Sequence, residues 1–159
     1  MDLSLAVFIG LNVAAAASGA VFKPGEWYEA LNKPAWRPPN YAFPIVWTVL
    51  YALIAIAGWR VWNRAPADML VGAMGIYGLQ TLLNAGWSAI FFGLRNMRLA
   101  LVELMGLWLS IFTTILVFAA IDGIAALLLL PYLAWVSVAG MLNLAMIRLN
   151  PAPPAQLPR

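Results

Sequence analysis

The sequence predicts an all-α integral membrane protein, a bundle of five transmembrane helices with a long structured first loop. Hydrophobic residues make up 64% of its 159 residues and charged residues only 9%, whereas soluble domains average roughly half and a quarter. Five apolar runs of about 20 residues, the length that crosses a hydrocarbon core, follow one another along the chain. Lipid is the solvent that suits such a composition.

The five predicted spans are residues 3–22, 44–62, 69–92, 99–121 and 123–147, within a transmembrane domain of residues 1–150. The first span is interpreted as a retained helix, because Asp2 stands where a cleaved signal peptide carries positive charge. Residues 23–43 are predicted to form a lid loop, and the Pro-rich residues 151–159 a flexible tail. Asp122-Gly123 is the only signal that separates the last two spans.

The basic residues predict the orientation of these spans. On the side of the N-terminus lie Arg60 and Arg64, and on the opposite side lie Lys23, Lys33, Arg37, Arg95, Arg98, Arg148 and Arg159. The positive-inside rule therefore places the N-terminus outside and the first loop and C-terminus in the cytoplasm. The pI of about 9.6 does not indicate nucleic-acid binding, because the net charge is only +3 and the basic residues form no stripe.

Two residue types are absent, and their absence excludes several kinds of site. The chain has no Cys and no His, which removes thiolate nucleophiles, Cys-ligated zinc, the usual haem ligands and the commonest general base. We therefore predict no metal site, no resident cofactor and no catalytic residue of the acid–base type.

Polar and aromatic stripes on separate spans are predicted to meet in the cytoplasmic half of the bundle. The stripes consist of Gly19 on the first span, Trp47 and Tyr51 on the second, Gln80, Asn84, Trp87, Ser88 and Phe91 on the third, and Tyr132, Trp135, Ala139 and Leu142 on the fifth. Unpaired amides are costly in hydrocarbon and should face the interior. Flat aromatic walls with small residues between them favour a cavity for a planar ligand. Alternatively, Gln80 and Asn84 only bond a neighbouring helix.

The first loop is predicted to cover this cavity as a lid. Its own aromatic residues are Trp27, Tyr28, Trp36, Tyr41 and Phe43, and four prolines stiffen it. Lys33 and Arg37 are candidates for contacts with ligand carboxylates or, equally, with lipid headgroups. Pro131 removes one helical hydrogen bond from the fifth span, which indicates either a kink that widens the cavity or a tolerated distortion.

Several stretches along nearly the whole chain resemble the TspO/MBR family, the tryptophan-rich sensory and translocator proteins, also called peripheral-type benzodiazepine receptors. They are Trp27-Tyr28, the Lys-Pro-Ala-Trp-Arg-Pro-Pro run at 33–39, Pro44 to Tyr51, Asn84 to Gly93, Pro131 to Trp135, Leu142-Asn143 and Leu149-Asn150. The resemblance is to bacterial-type members. It implies a five-helix bundle, often a homodimer, that binds protoporphyrin-like tetrapyrroles, sterols and isoquinoline or benzodiazepine ligands beneath the first loop.

The resemblance also implies which residues bind the ligand. Together with Trp36 of the lid, the residues that the resemblance implies give the predicted ligand-binding set. It consists of Gly19, Tyr28, Trp36, Trp47, Tyr51, Asn84, Trp87, Ser88, Trp135, Ala139 and Leu142. Trp47 and Trp135 resemble the tryptophans tied to light-dependent porphyrin breakdown in bacterial members. Leu144 stands where the vertebrate sterol motif needs Tyr, and Leu99 where vertebrate members have a pocket Trp, which puts high sterol and drug affinity in doubt.

The sequence is compatible with three functional hypotheses. The leading hypothesis is a membrane receptor or sensor for porphyrins, which is compatible with movement of the ligand. The second is a light- and oxygen-dependent porphyrin-degrading enzyme that uses Trp47 and Trp135. The third is an ion-coupled transporter of small solutes, for which Glu103 is the candidate coupling group.

A stripe of small residues predicts contact with a second copy of the chain. Gly75, Gly78, Leu82, Ala85 and Ala89 are spaced by three or four residues on the third span. Such a stripe favours a homodimer through this helix, although packing inside the bundle would use the same residues.

Overall fold

A computed structural model describes residues 3–151, which form helices and no strand. The helices are α1 (Leu3–Val21), α2 (Glu26–Ala30), α3 (Ala42–Arg64), α4 (Ala67–Ser88), α5 (Met97–Ala119) and α6 (Gly123–Leu149). The five long helices match the five predicted spans to within a few residues, and the short α2 lies in the predicted lid. All but the first residue of the predicted tail lies outside the described residues.

Four of the long helices are long and apolar enough to cross a membrane: α1, α3, α5 and α6. These helices support a multi-pass integral membrane protein, and four of the predicted spans have the length and composition needed to cross a membrane. Helix α4 is 22 residues long, but Gln80, Asn84 and its four glycines lower its mean hydropathy, so that composition alone does not identify it as a span.

The long helices contact one another in a ring, in the order α1, α3, α6, α5, α4 and back to α1. The largest buried side chains at its centre come from different helices, among them Ile54 on α3, Ile111 and Phe118 on α5, and Tyr132 on α6. Many large apolar side chains on the outer faces are exposed, as expected for surfaces that contact lipid.

The turn between α4 and α5 combines two features. Helix α4 continues into a π-helical turn at Ala89–Gly93, in which the Leu94 amide donates to the Ala89 carbonyl at 2.9 Å. Arg95 then adopts a positive φ of 53°, and the Asn96 side chain caps α5 by accepting from the Leu99 amide at 3.0 Å. The π-helical turn adds a residue to the helix and aims Phe91 and Phe92 at the loop above.

Gly58 is the most tightly packed glycine among the residues that the structure describes. A Cβ built on it would lie 2.8 Å from the Phe8 ring of α1 and 2.8 Å from the Tyr77 ring of α4. The two rings also pack edge to face on each other, with centroids 5.5 Å apart. A side chain at position 58 would therefore separate α1, α3 and α4.

We predict that Gly58→Ala destabilises the protein by about 1–2 kcal/mol, because two packed rings must move to admit one methyl group. Thermal unfolding in detergent should show a lower Tm. Gly72→Ala is the control, since a Cβ there meets nothing within 4 Å, and its Tm should stay the same or rise. Equal Tm shifts in the two variants would contradict this account.

The predicted small-residue stripe on α4 lies partly on the outside of the chain. Gly75 and Leu82 are exposed, Gly78 is half-buried, and a Cβ at either glycine would meet nothing within 4 Å. Packing inside the bundle therefore does not explain these two glycines. Contact with a second copy remains a prediction.

Asp122 joins the turn between α5 and α6 to the end of α3. Its carboxylate lies 3.0 Å from Arg60 and 3.1 Å from Arg64, and it also accepts from the backbone amides of Ile124 and Ala125, which caps α6. Burial raises the pKa of Asp122, but the hydrogen bonds from Arg60 and Ala125 and the charges of both arginines outweigh it and lower the pKa below its ordinary value.

Candidate ligand cavity

A cavity lies in the half of the ring that contains the ends of α1, α4 and α6 and the start of α3. It has an inner part of about 380 Å³ and an outer part, beneath the first loop, of about 420 Å³. Both parts are lined by Gly19, Phe43, Pro44, Trp47, Trp87, Ser88 and Ala139. Each volume is within the range of small-molecule sites.

Aromatic rings form the walls of the inner part. Trp47 stacks on Tyr51, one helical turn further along α3, with centroids 5.2 Å apart. Trp135 of α6 packs edge to face on Phe43 of α3, with centroids 5.6 Å apart. These contacts restrict the orientation of the two indole rings, both of which line the inner part.

A chain of hydrogen bonds crosses the deep end of the cavity and joins three helices. The Tyr51 hydroxyl donates to Asn84 Oδ1 at 2.7 Å, and Asn84 Nδ2 donates to the Tyr132 hydroxyl at 2.9 Å. Tyr132 is fully buried and Asn84 nearly so. The amide of Asn84 is thus satisfied within the protein, as the alternative interpretation of this residue expected. Asn84 nevertheless also lines the inner cavity.

Gln80, on the same helix, behaves differently from Asn84. It is buried, its Nε2 donates to Thr81 at 2.8 Å, and it does not line either part of the cavity. The predicted stripe on α4 therefore divides at this point, since Asn84, Trp87, Ser88 and Phe91 line the cavity and Gln80 packs elsewhere.

Apolar residues of α2, the π-helical turn and α6 pack together around the outer part of the cavity. Tyr28 of α2 packs edge to face on Phe92 at 5.4 Å, and Trp27 on Phe91 at 5.9 Å. Leu142 and Met146 of α6 complete this cluster. The first loop therefore packs against the bundle through Trp27 and Tyr28.

Two asparagines hold the first loop to the end of α6. The Asn32 backbone amide donates to the Asn150 side chain at 2.9 Å, and the Asn150 side chain donates back to the Asn32 carbonyl at 2.9 Å. The two residues are 118 positions apart in the sequence, so this reciprocal pair closes the loop onto the far end of the chain.

The charges at the cavity are few. Among the lining residues that the structure describes, Glu29 is the only one with a charged side chain, and it lies at the mouth of the outer part. Neither Lys33 nor Arg37 lines the cavity. The Lys33 ammonium lies 4.7 Å from the centre of the Tyr28 ring and donates to the carbonyls of Glu29 and Leu31 at 3.0 and 3.2 Å.

The structure brings together every predicted ligand-binding residue except Trp36. Residues of the set line the inner part (Gly19, Trp47, Tyr51, Asn84, Trp87, Ser88, Trp135, Ala139) and the outer part (Tyr28, Leu142). Trp36 is 54% exposed on the outside of the loop, so its predicted contact with a ligand is not supported by its position. Trp36 lies in a turn at residues 35–36 and lines neither part of the cavity.

Sequence reasoning missed several lining residues. Phe43 was predicted as an aromatic residue of the lid, but it lies on α3 four residues before Trp47 and lines both parts of the cavity. Leu104 and Leu107 line the inner part from α5, but α5 carries no aromatic and polar stripe of the kind that identified the lining residues of α3, α4 and α6. Pro131 lies in an outward groove beside Trp135 and does not line the cavity.

The lining of the cavity is mainly aromatic and uncharged. It offers indole rings, hydroxyls and the side-chain amides of Asn40, Asn84 and Asn143, and within residues 3–151 no group of His, Cys, Asp or Glu side chains is placed to hold a metal ion. The Trp87 Nε1 donor is buried and has no hydrogen-bond partner in that range. Glu103, the candidate coupling group, has both carboxyl oxygens buried and unpaired there, and it does not line the cavity.

Comparison with known proteins identifies relatives over nearly the full chain. The family model described as the TspO/MBR family matches residues 5–149. Protein CrtK of Rhodobacter capsulatus is 42% identical over 153 residues, which are 95% of this chain and 96% of that protein. The tryptophan-rich protein TspO of Chlorobaculum tepidum is 42% identical, with 94% and 97% covered. The translocator protein of Homo sapiens is 35% identical, with 94% and 89% covered.

Proposed function

The chain belongs to the TspO/MBR family, and from this premise we propose that it is a membrane receptor that binds porphyrins and related flat, apolar ligands. The observation that carries the proposal is the cavity beneath the first loop. Its walls are the rings of Trp47, Trp135 and Trp87, held in fixed orientations by aromatic neighbours. A flat ligand offers such walls the largest contact area.

The proposal includes the arrangement of the chain in the membrane. Helix α4 is proposed to be a fifth span, because it packs on both α1 and α5, which are themselves apolar enough to cross. The N-terminus is proposed to lie outside and the first loop and C-terminus in the cytoplasm, from the distribution of basic residues. Gly75 and Gly78, where a Cβ would meet nothing within 4 Å, support a homodimer through α4.

The proposal predicts that protoporphyrin quenches the tryptophan fluorescence of the purified protein with saturation in the micromolar range. Trp135→Phe should weaken binding about fivefold, because a smaller ring forfeits about 1 kcal/mol of stacking. Trp36→Phe is the matched control in the lid and should leave the affinity unchanged, since that ring lines neither part of the cavity. Absence of saturation in the wild type would overturn the proposed function.

A second candidate function has one specific observation in its favour. The indoles of Trp47 and Trp135 line the same inner part of the cavity, so that both would flank a bound porphyrin and act as redox partners of its excited state. This degradation needs light and dioxygen. The porphyrin absorption bands of the complex, followed under illumination in air, should then decay faster than those of a Trp47→Phe/Trp135→Phe variant. Equal rates would exclude it.

A further inference from the structure

We propose that Glu103 of α5 is a proton-binding site inside the membrane. Its carboxyl group carries a proton at neutral pH and reacts with carbodiimides that dissolve in lipid. Glu103 lines neither part of the cavity, so this site is separate from the ligand site and goes beyond the proposed function.

Glu103 lies well inside a helix that is able to cross a membrane. Helix α5 begins at Met97 and is one of the four helices that are long and apolar enough to span. At a rise of 1.5 Å per residue, Glu103 lies about 9 Å beyond the first residue of the helix. The other charged side chain of α5 is Arg98, in its first turn. A carboxyl group at the depth of Glu103 is rare and costly, which indicates a functional role.

The carboxyl group of Glu103 has no hydrogen-bond partner within residues 3–151. Both of its oxygens are buried there, and the ion pairs of the same range involve the carboxylates of Glu29 and Asp122 instead. An ionised carboxylate that loses its water and gains no partner is strongly unfavourable, and such a group takes up a proton instead. Burial without a partner therefore favours the neutral acid.

The elements that pack on α5 offer no positive charge that would keep Glu103 ionised. These elements are α4, the π-helical turn and α6. Their titratable or charged residues are Asp68 and Tyr77 in α4 and Tyr132 and Arg148 in α6, and the π-helical turn has none. Tyr132 is close enough to interact electrostatically with Glu103, but a phenol is neutral or negative. Arg148, in the last turn of α6, forms no ion pair with Glu103 in the described part of the chain.

The side of α5 that contacts lipid lies next to Glu103. Val102 and Met105 are 65% and 60% exposed, whereas Leu104 and Leu107 are buried. Glu103 itself is half-buried, so it lies at the border between the packed side and the lipid side of the helix. A small rotation of its side chain brings the carboxyl group to a reagent that is dissolved in the bilayer.

The reaction with dicyclohexylcarbodiimide requires the protonated acid. A carboxyl oxygen bonds to the central carbon of the carbodiimide, and the acid proton moves to one of the two nitrogens, which gives an O-acylisourea. The acyl group then moves from oxygen to the other nitrogen, which gives a stable N-acylurea. No group leaves, and nothing is oxidised or reduced. A site without water favours this rearrangement over hydrolysis.

The test is labelling of the protein in phosphatidylcholine vesicles at pH 8, followed by mass spectrometry of its peptides. At this pH an exposed Glu is protonated in about one molecule in 5000, because its pKa is about 4.3. We expect dicyclohexylcarbodiimide to label Glu103 at least about tenfold faster than the exposed carboxyl groups, which are almost wholly ionised. A water-soluble carbodiimide should leave Glu103 unlabelled.

Two matched variants identify the labelled residue. Glu103→Gln should lose the label, and thermal unfolding in detergent should show that this variant keeps the fold. Glu26→Gln removes an exposed carboxyl group from the first loop and should keep the label. Labelling of the membrane-spanning part that persists in Glu103→Gln would assign the reactive acid to another residue and overturn the proposal.

An infrared measurement tests the proton without any reagent. The spectrum of the wild type at pH 7, minus that of Glu103→Gln, should contain the carbonyl stretch of a protonated carboxylic acid. Absence of this band would show that Glu103 is ionised and would overturn the proton site. A band without labelling would overturn the access from lipid. Neither measurement involves a porphyrin, so a failure of the receptor function would leave both results unchanged.

Discussion

An Ala139→Phe variant is expected to fold as the wild type does and to lose about ten- to a hundredfold in affinity for protoporphyrin. Ala139 lines both the inner and the outer part of the cavity, so a ring at this position occupies space that the ligand needs. Forcing a ligand into a space already filled costs about 1–3 kcal/mol, and each 1.4 kcal/mol changes the affinity tenfold. Tryptophan quenching measures the affinity, and thermal unfolding in detergent shows that the fold is kept.

Ala134→Phe is the control for this variant. It adds the same ring to the same helix, but Ala134 lies in the outward groove beside Pro131, on the opposite side of Trp135. Its affinity for protoporphyrin should equal that of the wild type. An Ala139→Phe protein that binds protoporphyrin normally would show that the ligand occupies another surface, and the proposed function would lose its site.

Helical spacing made most of this cavity predictable from the sequence. Residues four apart on α3, such as Trp47 and Tyr51, share a face whatever the packing, and an amide such as Asn84 is driven out of contact with lipid. The same arguments identified the lining residues of α4 and α6. They depend only on helix geometry and on the cost of exposing polar groups to hydrocarbon.

The loop and its charges were predictable only in part, because a loop has no period. The sequence indicated that the aromatic residues of the first loop would cover the bundle, and Tyr28 does so. It could not distinguish Tyr28, which lines the cavity, from Trp36, which does not, and it could not show that Lys33 packs on the Tyr28 ring. These placements follow from α2 and from the Asn32–Asn150 hydrogen bonds, which join segments far apart in the chain.

The turn between α5 and α6 was also predictable only in part from the sequence. The sequence offered only Asp122-Gly123 as a break between two apolar spans, and the structure ends α5 at Ala119 and begins α6 at Gly123. What the sequence did not show is that Arg60 and Arg64, which were interpreted as signals of orientation, are ion-pair partners of Asp122. Arg60 and Arg64 can both signal the orientation of the chain and pair with Asp122, but only the structure shows the ion pairs.

Replacement of Asp122 by Ala is expected to destabilise the protein by about 2–3 kcal/mol. The helix cap of α6 accounts for about 1 kcal/mol of this. The remaining free energy is the cost of leaving the half-buried Arg60 without its ion-pair partner. The second ion pair contributes little, because Arg64 is 48% exposed and solvent screens its charge. Thermal unfolding at pH 7 in detergent measures the loss, and Asp68→Ala, on the exposed first turn of α4, is the control.

The stabilisation of the folded protein by Asp122 should decrease as the pH falls. Because Arg60, Ala125 and Arg64 lower its folded-state pKa, the stabilisation is fully present above the unfolded pKa of about 3.9 and is lost as the pH falls through the lower folded value. Asp122→Asn keeps an acceptor for the amides of Ile124 and Ala125 but carries no charge. The Tm difference between wild type and Asp122→Asn should therefore be constant from about pH 8 to 5 and narrow below about pH 4. A difference that persists unchanged at pH 3 would show that the ion pairs add nothing beyond the cap.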